Sequence, residues 1–414
     1  MDLLKLKRNR APHVLLFGIN YSPEPTGSAP YTAGVAEMMV EFGFTVEAVV
    51  GFPHYPSWSL DKSNRLRIRY RENIKGVNVR HFRHFVPKNQ SALGRAMWEL
   101  TYLFNSIFSL PRKRPNLIFA TMPNLSSGIL GFLYARFFRV PFILLIQDLV
   151  AEGVKQTDLS SQRLLQLFIS KLEARLHRSA NLTLIVSQSF GPILAKNKVS
   201  TDRIVFFRNW SLIEKSRHSC IEAREILGLN PNHFIVLHSG NMGMKQDLSN
   251  LIKAAEYLDS DSEIKIILCG DGNQKDNLIA QANNIQNITF MNTVSIETLP
   301  DLLASADILI VNQSPSVSDM SLPSKLTAYF TSGRAILAAV SEDSACAKEI
   351  HNSSGAGLVV PAGSPENLAS AVKMLKDNPD KIQKMSYAAA VYGANTQSRQ
   401  AAKDRLHSIL SKYL

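Results

Sequence analysis

The sequence predicts an α/β protein built from two doubly wound, Rossmann-like domains. Short β-rich runs alternate with longer helical patterns along all 414 residues, which is typical of βαβ units and parallel sheets. The strand runs are almost continuously apolar, as expected for sheets that helices cover on both faces. This rhythm stops in a polar stretch at 209–232 and then starts again, which indicates two domains of the same kind.

The strand candidates fall into two groups on either side of the polar stretch. Those before it are 13–19, 45–50, 78–82, 116–120, 142–146, 182–187 and 204–207. Those after it are 234–240, 264–270, 288–291, 308–311, 335–340 and 357–360. The clearest helical patterns between them are 31–42, 126–138, 160–178, 248–258, 273–283, 324–332 and 365–376.

The domain boundary is predicted near residue 215, inside the polar stretch. This stretch contains Gly228 and Pro231, which punctuate regular structure. The prediction is therefore a first domain over 1–214 and a second domain over 215–383.

The charge is divided unevenly between the two halves. Residues 1–214 hold 28 Lys and Arg against 14 Asp and Glu, whereas 215–414 hold 18 against 20. The first half is therefore expected to meet an anionic partner, either nucleic acid or an anionic membrane surface. The basic residues are dispersed and no nucleic-acid-binding motif is present, so nucleic acid is not the predicted partner.

The cysteines and the apolar runs indicate a cytoplasmic protein. The three cysteines are far apart and have no metal-ligand spacing, which is typical of reduced thiols. No apolar core follows the basic N-terminal residues, and no apolar run approaches the roughly 18 residues that span a bilayer. We expect a soluble protein or one bound peripherally to a membrane surface.

Candidate ligand-binding residues follow the first two strands of the second domain, because doubly wound sheets bind ligands beyond the carboxyl ends of their strands. In SGNMGMKQDL, the small residues around Gly240, Asn241 and Gly243 could cradle a diphosphate, and Lys245 could supply a point charge. A solvated lysine at a helix start is the alternative. Gly272 in CGDGN marks a turn after the next strand.

A second phosphate candidate opens the helix predicted at 324–332. Ser324 and Lys325 bring a hydroxyl and an ammonium group to the backbone N–H groups of a helix start, which suits a phosphate. The alternative is an N-cap serine followed by a surface lysine.

In the first domain, the carboxyl ends of two strands carry candidate residues. Gly27 lies in a Pro-rich loop that could let the backbone approach an anionic ligand, although an ordinary βα loop is the alternative. Asp148 leaves a buried apolar strand, and Glu152 follows four residues later. Either carboxylate could orient or deprotonate an acceptor hydroxyl, or could instead cap a helix or form a salt bridge.

Two weaker signals lie elsewhere. His54 and Trp58, in GFPHYPSW, could line an acceptor pocket, although a packed loop histidine is the favoured alternative. Asp259 and Asp261 have the D-x-D form of a metal–diphosphate site, but they lie at the wrong end of the predicted sheet and indicate a solvated turn. No metal site is therefore predicted.

One basic and apolar segment bears on location. Residues 91–115 predict an amphipathic helix rich in aromatic residues that ends in Arg112, Lys113 and Arg114. With the basic run at 65–72, it could lie on an anionic membrane surface. A core-facing helix with a basic end is the alternative.

Six segments, in order along the chain, resemble the motifs of one enzyme family. They are YSPEPTG (21–27), FPHYPSW (52–58), IQD (146–148), FFRNWS (206–211), SGNMGMKQDL (239–248) and LPSKL (322–326). With them the chain resembles the family 4 glycosyltransferases of the GT-B fold over most of 12–400. More narrowly, it is similar to the colanic-acid-type glycosyltransferases of bacterial exopolysaccharide gene clusters.

The resemblance implies an activity and an arrangement of domains. It implies two domains that face each other across a cleft, with the C-terminal helix at about 384–414 packed back on the first domain. It also implies retaining transfer from a GDP- or UDP-sugar, without a metal or other cofactor. The acceptor would be a saccharide or a polyprenyl-diphosphate-linked saccharide at the inner face of the plasma membrane.

The resemblance also assigns roles to particular residues. Lys245, Ser324 and Lys325 would contact the donor diphosphate. Gly27 and its loop would lie beneath the donor sugar. Asp148 matches the acidic position near the family's reaction centre. The second catalytic candidate is Glu152.

One departure from the family pattern concerns the donor ribose. Many relatives place two glutamates eight residues apart, the second of them five residues before the glycine that Gly333 matches, and this second glutamate binds the ribose. Met320 and Ala328 occupy these positions here, and Asp319 is adjacent to the first. The missing glutamate leaves a non-catalytic nucleotide-sugar-binding scaffold open as an alternative to a transferase. A nucleotide-sugar epimerase of the same GT-B architecture, which converts its donor without an acceptor, is the other alternative.

Overall fold

The computed structural model describes residues 11–25, 27–64, 66–88, 91–150, 163–316 and 324–413, without the side chains of 63, 163–165 and 324. The chain forms two compact units that divide between Asn209 and Trp210. At Lys403 the chain returns to the first unit.

An eight-stranded sheet forms the first unit. Its strands lie in the order β3-β4-β2-β1-β5-β6-β7-β8, and every pair is parallel except β3 with β4. Their bounds are β1 His13–Gly18, β2 Thr45–Gly51, β3 Arg69–Ile74, β4 Val77–Phe82, β5 Leu117–Met122, β6 Phe142–Ile146, β7 Leu182–Ile185 and β8 Ile204–Phe206.

Strand β3 is the one described strand that the sequence patterns did not predict. It is an antiparallel edge strand that pairs only with β4, through a turn in which Lys75 and Gly76 have φ of 47° and 87°. The Asn73 side chain accepts a hydrogen bond from the Gly76 N–H at 3.0 Å. Because its side chains are mostly charged and exposed, β3 lacks the apolar pattern of a buried strand.

Helices cover both faces of this sheet. Helix α2 packs inward through Trp98 and Tyr102, and the Tyr102 hydroxyl donates to the Val49 carbonyl at 2.7 Å. The terminal segment joins the unit through an ion pair between Lys403 and Glu41 at 2.6 Å. The helices of the first half are α1 Ala29–Glu41, α2 Ala92–Ser106, α3 Leu125–Phe138, α4 Arg163–Ser179 and α5 Phe190–Lys196.

A six-stranded parallel sheet forms the second unit. Its strand order is β11-β10-β9-β12-β13-β14. From β9 the chain adds β10 and β11 on one side, and it then adds β12, β13 and β14 on the other side. The order reverses between β9 and β12, which is where doubly wound sheets bind ligands. The strands are β9 Phe234–Ser239, β10 Ile264–Cys269, β11 Ile288–Met291, β12 Ile308–Asn312, β13 Ala335–Ala339 and β14 Gly357–Val360.

The helices of the second half pack apolar faces on both sides of this sheet. The terminal segment is two helices rather than one, because a π-helical turn at Gly393–Gln397 and an extended Ser398 separate them. The helices are α6 Cys220–Ile226, α7 Ser249–Leu258, α8 Lys275–Gln281, α9 Leu299–Ala304, α10 Ser324–Ser332, α11 Ala345–Asn352, α12 Pro365–Lys376, α13 Pro379–Tyr392 and α14 Arg399–Leu410.

The two doubly wound sheets confirm the predicted fold class. Every strand predicted from the sequence is present, with ends that differ by at most two residues. Among the described helices, none combines the length and the apolar character that crossing a bilayer requires.

Candidate functional site

The loops after β9 and β10 touch each other backbone to backbone at the carboxyl edge of the second sheet. The Gly240 N–H donates to the Cys269 carbonyl at 2.9 Å, and the Met242 N–H donates to the Asp271 carbonyl at 2.8 Å. A Cβ atom on Gly270 would lie 1.9 Å from the Gly240 carbonyl oxygen, where no side chain fits. This contact holds the loop after β9 close to the end of its neighbouring strand.

Gly272 makes a second close approach of the same kind. A Cβ atom there would lie 2.5 Å from the Met242 carbonyl oxygen and 2.7 Å from the Asn241 side-chain oxygen. The structure thus brings the predicted residues Gly240, Asn241 and Gly272 together, and Gly272 has a packing reason to be glycine.

Lys325 lies directly beside the Gly240 backbone. A Cβ atom on Gly240 would be 3.5 Å from both Cε and Nζ of Lys325, so the ammonium group sits against the turn that leaves β9. The Lys325 Nζ donates to Nε2 of His238 at 3.3 Å. His238 is fully buried on β9, and burial followed by the charge of Lys325 holds its pKa well below the usual range. His238 is therefore a neutral acceptor for the lysine.

Burial also changes the proton affinity of the lysine itself. Lys325 is half-buried, and its removal from water lowers its pKa to about 8. Since a nearby anion favours the charged form, a bound diphosphate would restore the ordinary pKa of this group. Lys325 thus has the position and the electrostatics of an anion-binding residue.

Tyr329 of helix α10 supports the end of β9, whereas three of the predicted side chains lie outside the described part of the chain. The buried Tyr329 hydroxyl accepts a hydrogen bond from the Ser239 N–H at 3.0 Å. The Ser324 side chain, Asp319 and Met320 lie outside the described residues. Ala328 is half-buried and packs against the apolar cluster of the second unit.

Lys245 lies in an exposed single turn that the Gln246 side chain organises. The Gln246 side-chain oxygen accepts hydrogen bonds from the Gly243 N–H at 3.2 Å and from the Asn241 amide at 3.3 Å. The turn of Met244–Gln246 therefore follows Gly243 without a break, and it presents the Lys245 side chain to solvent.

Asn312, at the end of β12, holds this turn through hydrogen bonds to its backbone. Its amide group donates to the carbonyls of Gln246 and Asp247 at 2.9 and 2.8 Å, and its oxygen accepts from the Asn250 amide at 2.8 Å. The Ser314 N–H donates to the Lys245 carbonyl at 2.9 Å. The sequence patterns did not single out Asn312, although a polar residue that ends an apolar strand (ILIVN) was a signal for it.

In the first unit, a buried carboxylate joins the loops after β1 and β2. Glu24 accepts hydrogen bonds from the backbone N–H groups of His54 and Tyr55 at 2.9 and 3.0 Å and from the Asn20 amide at 2.8 Å. Burial alone would raise the pKa of Glu24, but the hydrogen bonds from His54 and Asn20 lower it. The sequence patterns did not identify Glu24 as a functional or positioning residue.

Aromatic rings surround His54 rather than solvent. Its side chain is buried, and the ring centroids of His84, Trp98 and Trp58 lie 4.7, 5.5 and 5.6 Å from its own. Trp58 is half-buried with φ of 49°. A Cβ atom on Gly27, at φ of 68°, would be 3.8 Å from the Tyr55 ring, so the Gly27 loop lies against the loop that carries His54.

Asp148 follows β6 at the carboxyl edge of the first sheet, and its side chain is exposed. Partial desolvation raises the pKa of its carboxyl group. Hydrogen bonds hold the residues on either side of it. The amide groups of Gln147 and Asn209 exchange two hydrogen bonds at 2.7 and 3.1 Å. The Glu173 carboxylate accepts a hydrogen bond from the Val150 N–H at 2.8 Å. Glu152 lies outside the described residues.

Comparison with known protein families matches both halves of the chain. Residues 26–210 match the Glycosyl transferase 4-like domain. Residues 221–391 match the Glycosyl transferases group 1 family. The residues at the ends of β6, β9 and β12, and Gly27 in the loop after β1, lie within these matches.

Individual proteins are similar over most of their length. WcaI of Escherichia coli (strain K12), described as a colanic acid biosynthesis glycosyl transferase, is 31% identical over 327 residues, which are 76% of this chain and 80% of WcaI. Anabaena Alr3699/HepE, solved with UDP, has a TM-score of 0.66 at 16% identity and covers 97% of this chain and 100% of its own. WaaG, a glycosyltransferase involved in lipopolysaccharide biosynthesis, has a TM-score of 0.63 at 14% identity and covers 96% and 99%.

Replacing Asn312 with Ala is expected to weaken diphosphate binding, because the turn that carries Lys245 loses two partly buried hydrogen bonds. We expect a stability loss of about 1–3 kcal/mol and a weaker affinity for UDP or GDP with little change for the free nucleoside. Asn287→Ala is the matched control, since Asn287 is also buried and donates to the Ala255 carbonyl at 3.0 Å, before β11. Calorimetric titration checks both, and an equal loss of affinity in the two variants would contradict a positioning role for Asn312.

Binding of a nucleoside diphosphate is expected to take up a proton when the pH is above the free-state pKa of Lys325. That pKa is about 8, so the unliganded lysine is mostly neutral near pH 9 and the bound anion recharges it, whereas near pH 7 it is charged throughout. Affinity should accordingly fall as the pH rises through about 8. Calorimetry near pH 9 in two buffers of different ionisation enthalpy measures the uptake. In Lys325→Arg, which stays charged, the uptake should vanish, and its persistence there would assign the proton to another group.

Proposed function

Since this chain belongs to the family 4 glycosyltransferases, we propose that it transfers a sugar from a GDP- or UDP-sugar to a saccharide or lipid-linked saccharide, with retention of configuration. The product would belong to bacterial exopolysaccharide or another cell-surface glycan, as the similarity to WcaI suggests.

The position of Lys325 against the Gly240 turn is the observation that carries this proposal. The ammonium group lies at the point where the strand order of the second sheet reverses, and its pKa is lowered by burial. A cation fixed there can stabilise the negative charge that develops on a departing diphosphate. With Lys245 as a second cation and Ser324 at the start of α10, the proposed site needs no metal ion for this role.

The proposed reaction exchanges one bond for another at the sugar. The bond between the anomeric carbon and the diphosphate oxygen breaks, and the nucleoside diphosphate leaves with the electron pair. The acceptor hydroxyl oxygen forms the new bond to the same carbon and passes its proton to the carboxylate of Asp148. We assign Asp148 to orient that hydroxyl, with Glu152 as the second carboxylate, and we place the Gly27 loop beneath the donor sugar. We infer retention from the resemblance to the family.

The fixed loops of the first unit support an acceptor role for that unit. Glu24 joins the loop of Gly27 to the loop of His54, and aromatic rings pack around His54. His54 therefore acts on the acceptor side through Trp58 and the loop shape rather than by direct contact. The positive charge of the first half suits a diphosphate-linked acceptor at an anionic inner membrane face.

A nucleotide-sugar-binding protein without catalysis is the second candidate, and Ala328 favours it. Relatives hold the donor ribose with a glutamate at this position, whereas Ala328 packs against the apolar cluster and offers no hydrogen bond. This candidate would bind the donor and release no nucleotide.

Incubation with GDP- and UDP-sugars and lipid-linked saccharides is expected to release the nucleoside diphosphate and add one sugar to the acceptor. Asp148→Asn should lower kcat by about 10²–10⁴-fold if the carboxylate handles the acceptor proton. The matched control is Asp202→Asn, an exposed carboxylate in the first unit before β8, which should leave kcat unchanged. Mass spectrometry identifies the products. A new nucleotide sugar without acceptor gain would mean an epimerase, and binding without products would mean a scaffold.

A further inference from the structure

Helix α2 has an apolar stripe on its outer side as well as on its inner side. The inner side buries Trp98 and Tyr102 in the core. An ordinary surface helix would be polar on the opposite face. Here the exposed residues, spaced four, three and four apart on one face, are Leu93 at 74%, Met97 at 43%, Leu100 at 56% and Phe104 at 74% exposure.

The apolar stripe continues onto neighbouring segments. Beyond α2, Phe108 and Leu110 are exposed, and beside it lie the exposed side chains of Leu66, Ile68 and Phe85. Hydrogen bonds hold these segments together. The Phe85 N–H donates to the Thr101 hydroxyl at 2.8 Å, and the Asn105 amide donates to the Arg83 carbonyl at 2.6 Å. The Arg83 N–H in turn donates to the Ile68 carbonyl at 2.9 Å. The exposed apolar side chains therefore lie on segments that hydrogen bonds join to one another.

Exposed cations border this surface along the edge strand β3 and the segment after α2. Arg69 and Arg71 line a cavity of about 110 Å³ together with Phe108 and Leu110, which places guanidinium groups beside apolar side chains. The buried Arg80 donates to the carbonyls of Ser109 and Leu110 at 2.9 Å and so fixes this loop against the sheet. Arg112 and Lys113 are exposed in the next residues of the chain.

We propose that these residues form a docking face for an anionic phospholipid bilayer. The docking face consists of the outer side of α2, the segment 66–71 with Phe85, and 108–113. The apolar side chains would enter the boundary between headgroups and acyl chains, while the arginines and Lys113 contact lipid phosphates. This docking face is the surface that would contact the membrane in the proposed function. The proposal rests on that function only because the proposed acceptor is membrane-borne.

The charge of the docking face favours a bilayer over a second copy of this chain. Two copies pressed together through this surface would bring arginines of like charge close to one another. A nucleic acid would match the charge but would leave the phenylalanines and leucines in contact with water and phosphate. An anionic bilayer satisfies both the apolar and the cationic side chains.

Vesicle co-sedimentation of the full chain tests the docking face. Vesicles of phosphatidylcholine alone are compared with vesicles that contain phosphatidylglycerol. The apolar variant is Leu100→Ser with Phe104→Ser, and the charge variant is Arg69→Gln with Arg71→Gln. The matched controls, on exposed helices of the second unit, are Ile221→Ser with Ile226→Ser and Lys348→Gln with Lys384→Gln.

The wild-type chain and both controls are expected to bind the anionic vesicles and to be released near 1 M salt, where the screening length is about 3 Å. The charge variant should bind about fivefold more weakly for each arginine removed, and the apolar variant at least about tenfold more weakly. Equal binding to both kinds of vesicle, or unchanged binding by the two variants, would overturn the proposal. So would a concentration-dependent dimer that the apolar variant abolishes, because the face would then belong to a second copy.

Nucleotide titration of the same variants separates this proposal from the proposed function. The docking-face variants should bind UDP or GDP as the wild type does, since their substitutions lie in the first unit. Vesicle binding by a chain that binds no nucleotide would defeat the proposed function and leave the docking face standing. Nucleotide binding without vesicle binding would overturn the docking face and leave the proposed function standing.

Discussion

The contact between the Lys325 ammonium, the His238 imidazole and the Gly240 backbone is the constraint on which the proposed donor site depends. A half-buried lysine without an anion is costly, and its lowered pKa reflects that cost. His238 accepts its hydrogen bond only because burial keeps the imidazole neutral. An incoming diphosphate would offset the desolvation cost of the Lys325 ammonium. The binding energy would then be concentrated where charge develops during the reaction.

In both units, buried polar groups hold the loops that carry the candidate site residues. In the second unit, the Gly240–Gly270 contact and the Asn312 amide hold the loop that ends in Lys245. In the first unit, Glu24 does the same for two loops at the end of its sheet. Loops that hydrogen bonds hold in this way can position reacting groups before a substrate arrives.

The apolar strands were predictable from the sequence because burial on both sheet faces makes each a short continuous run. Strand β3 was not, since an edge strand pairs through its backbone and its side chains face water. Candidate site residues were predicted from their place in the chain, Gly240 because it follows a strand and Lys325 because it opens a helix. Asn312 and Glu24 were missed because their importance arises from partners up to 66 residues away in the chain, which no local pattern records. The amphipathic character of 91–115 was visible, but only the structure showed that both sides of α2 are apolar.

Calorimetric titration of the wild type and Lys325→Ala with GDP, UDP and ADP near pH 7 tests whether Lys325 binds the donor diphosphate. We expect that one nucleoside diphosphate binds selectively and that the variant binds it at least about tenfold more weakly, because it loses a charge-assisted hydrogen bond. Lys348→Ala, which removes an exposed lysine from the same unit, should bind as the wild type does. Affinity that is unchanged in Lys325→Ala, or absent for all three nucleotides, would contradict the assignment of the donor site.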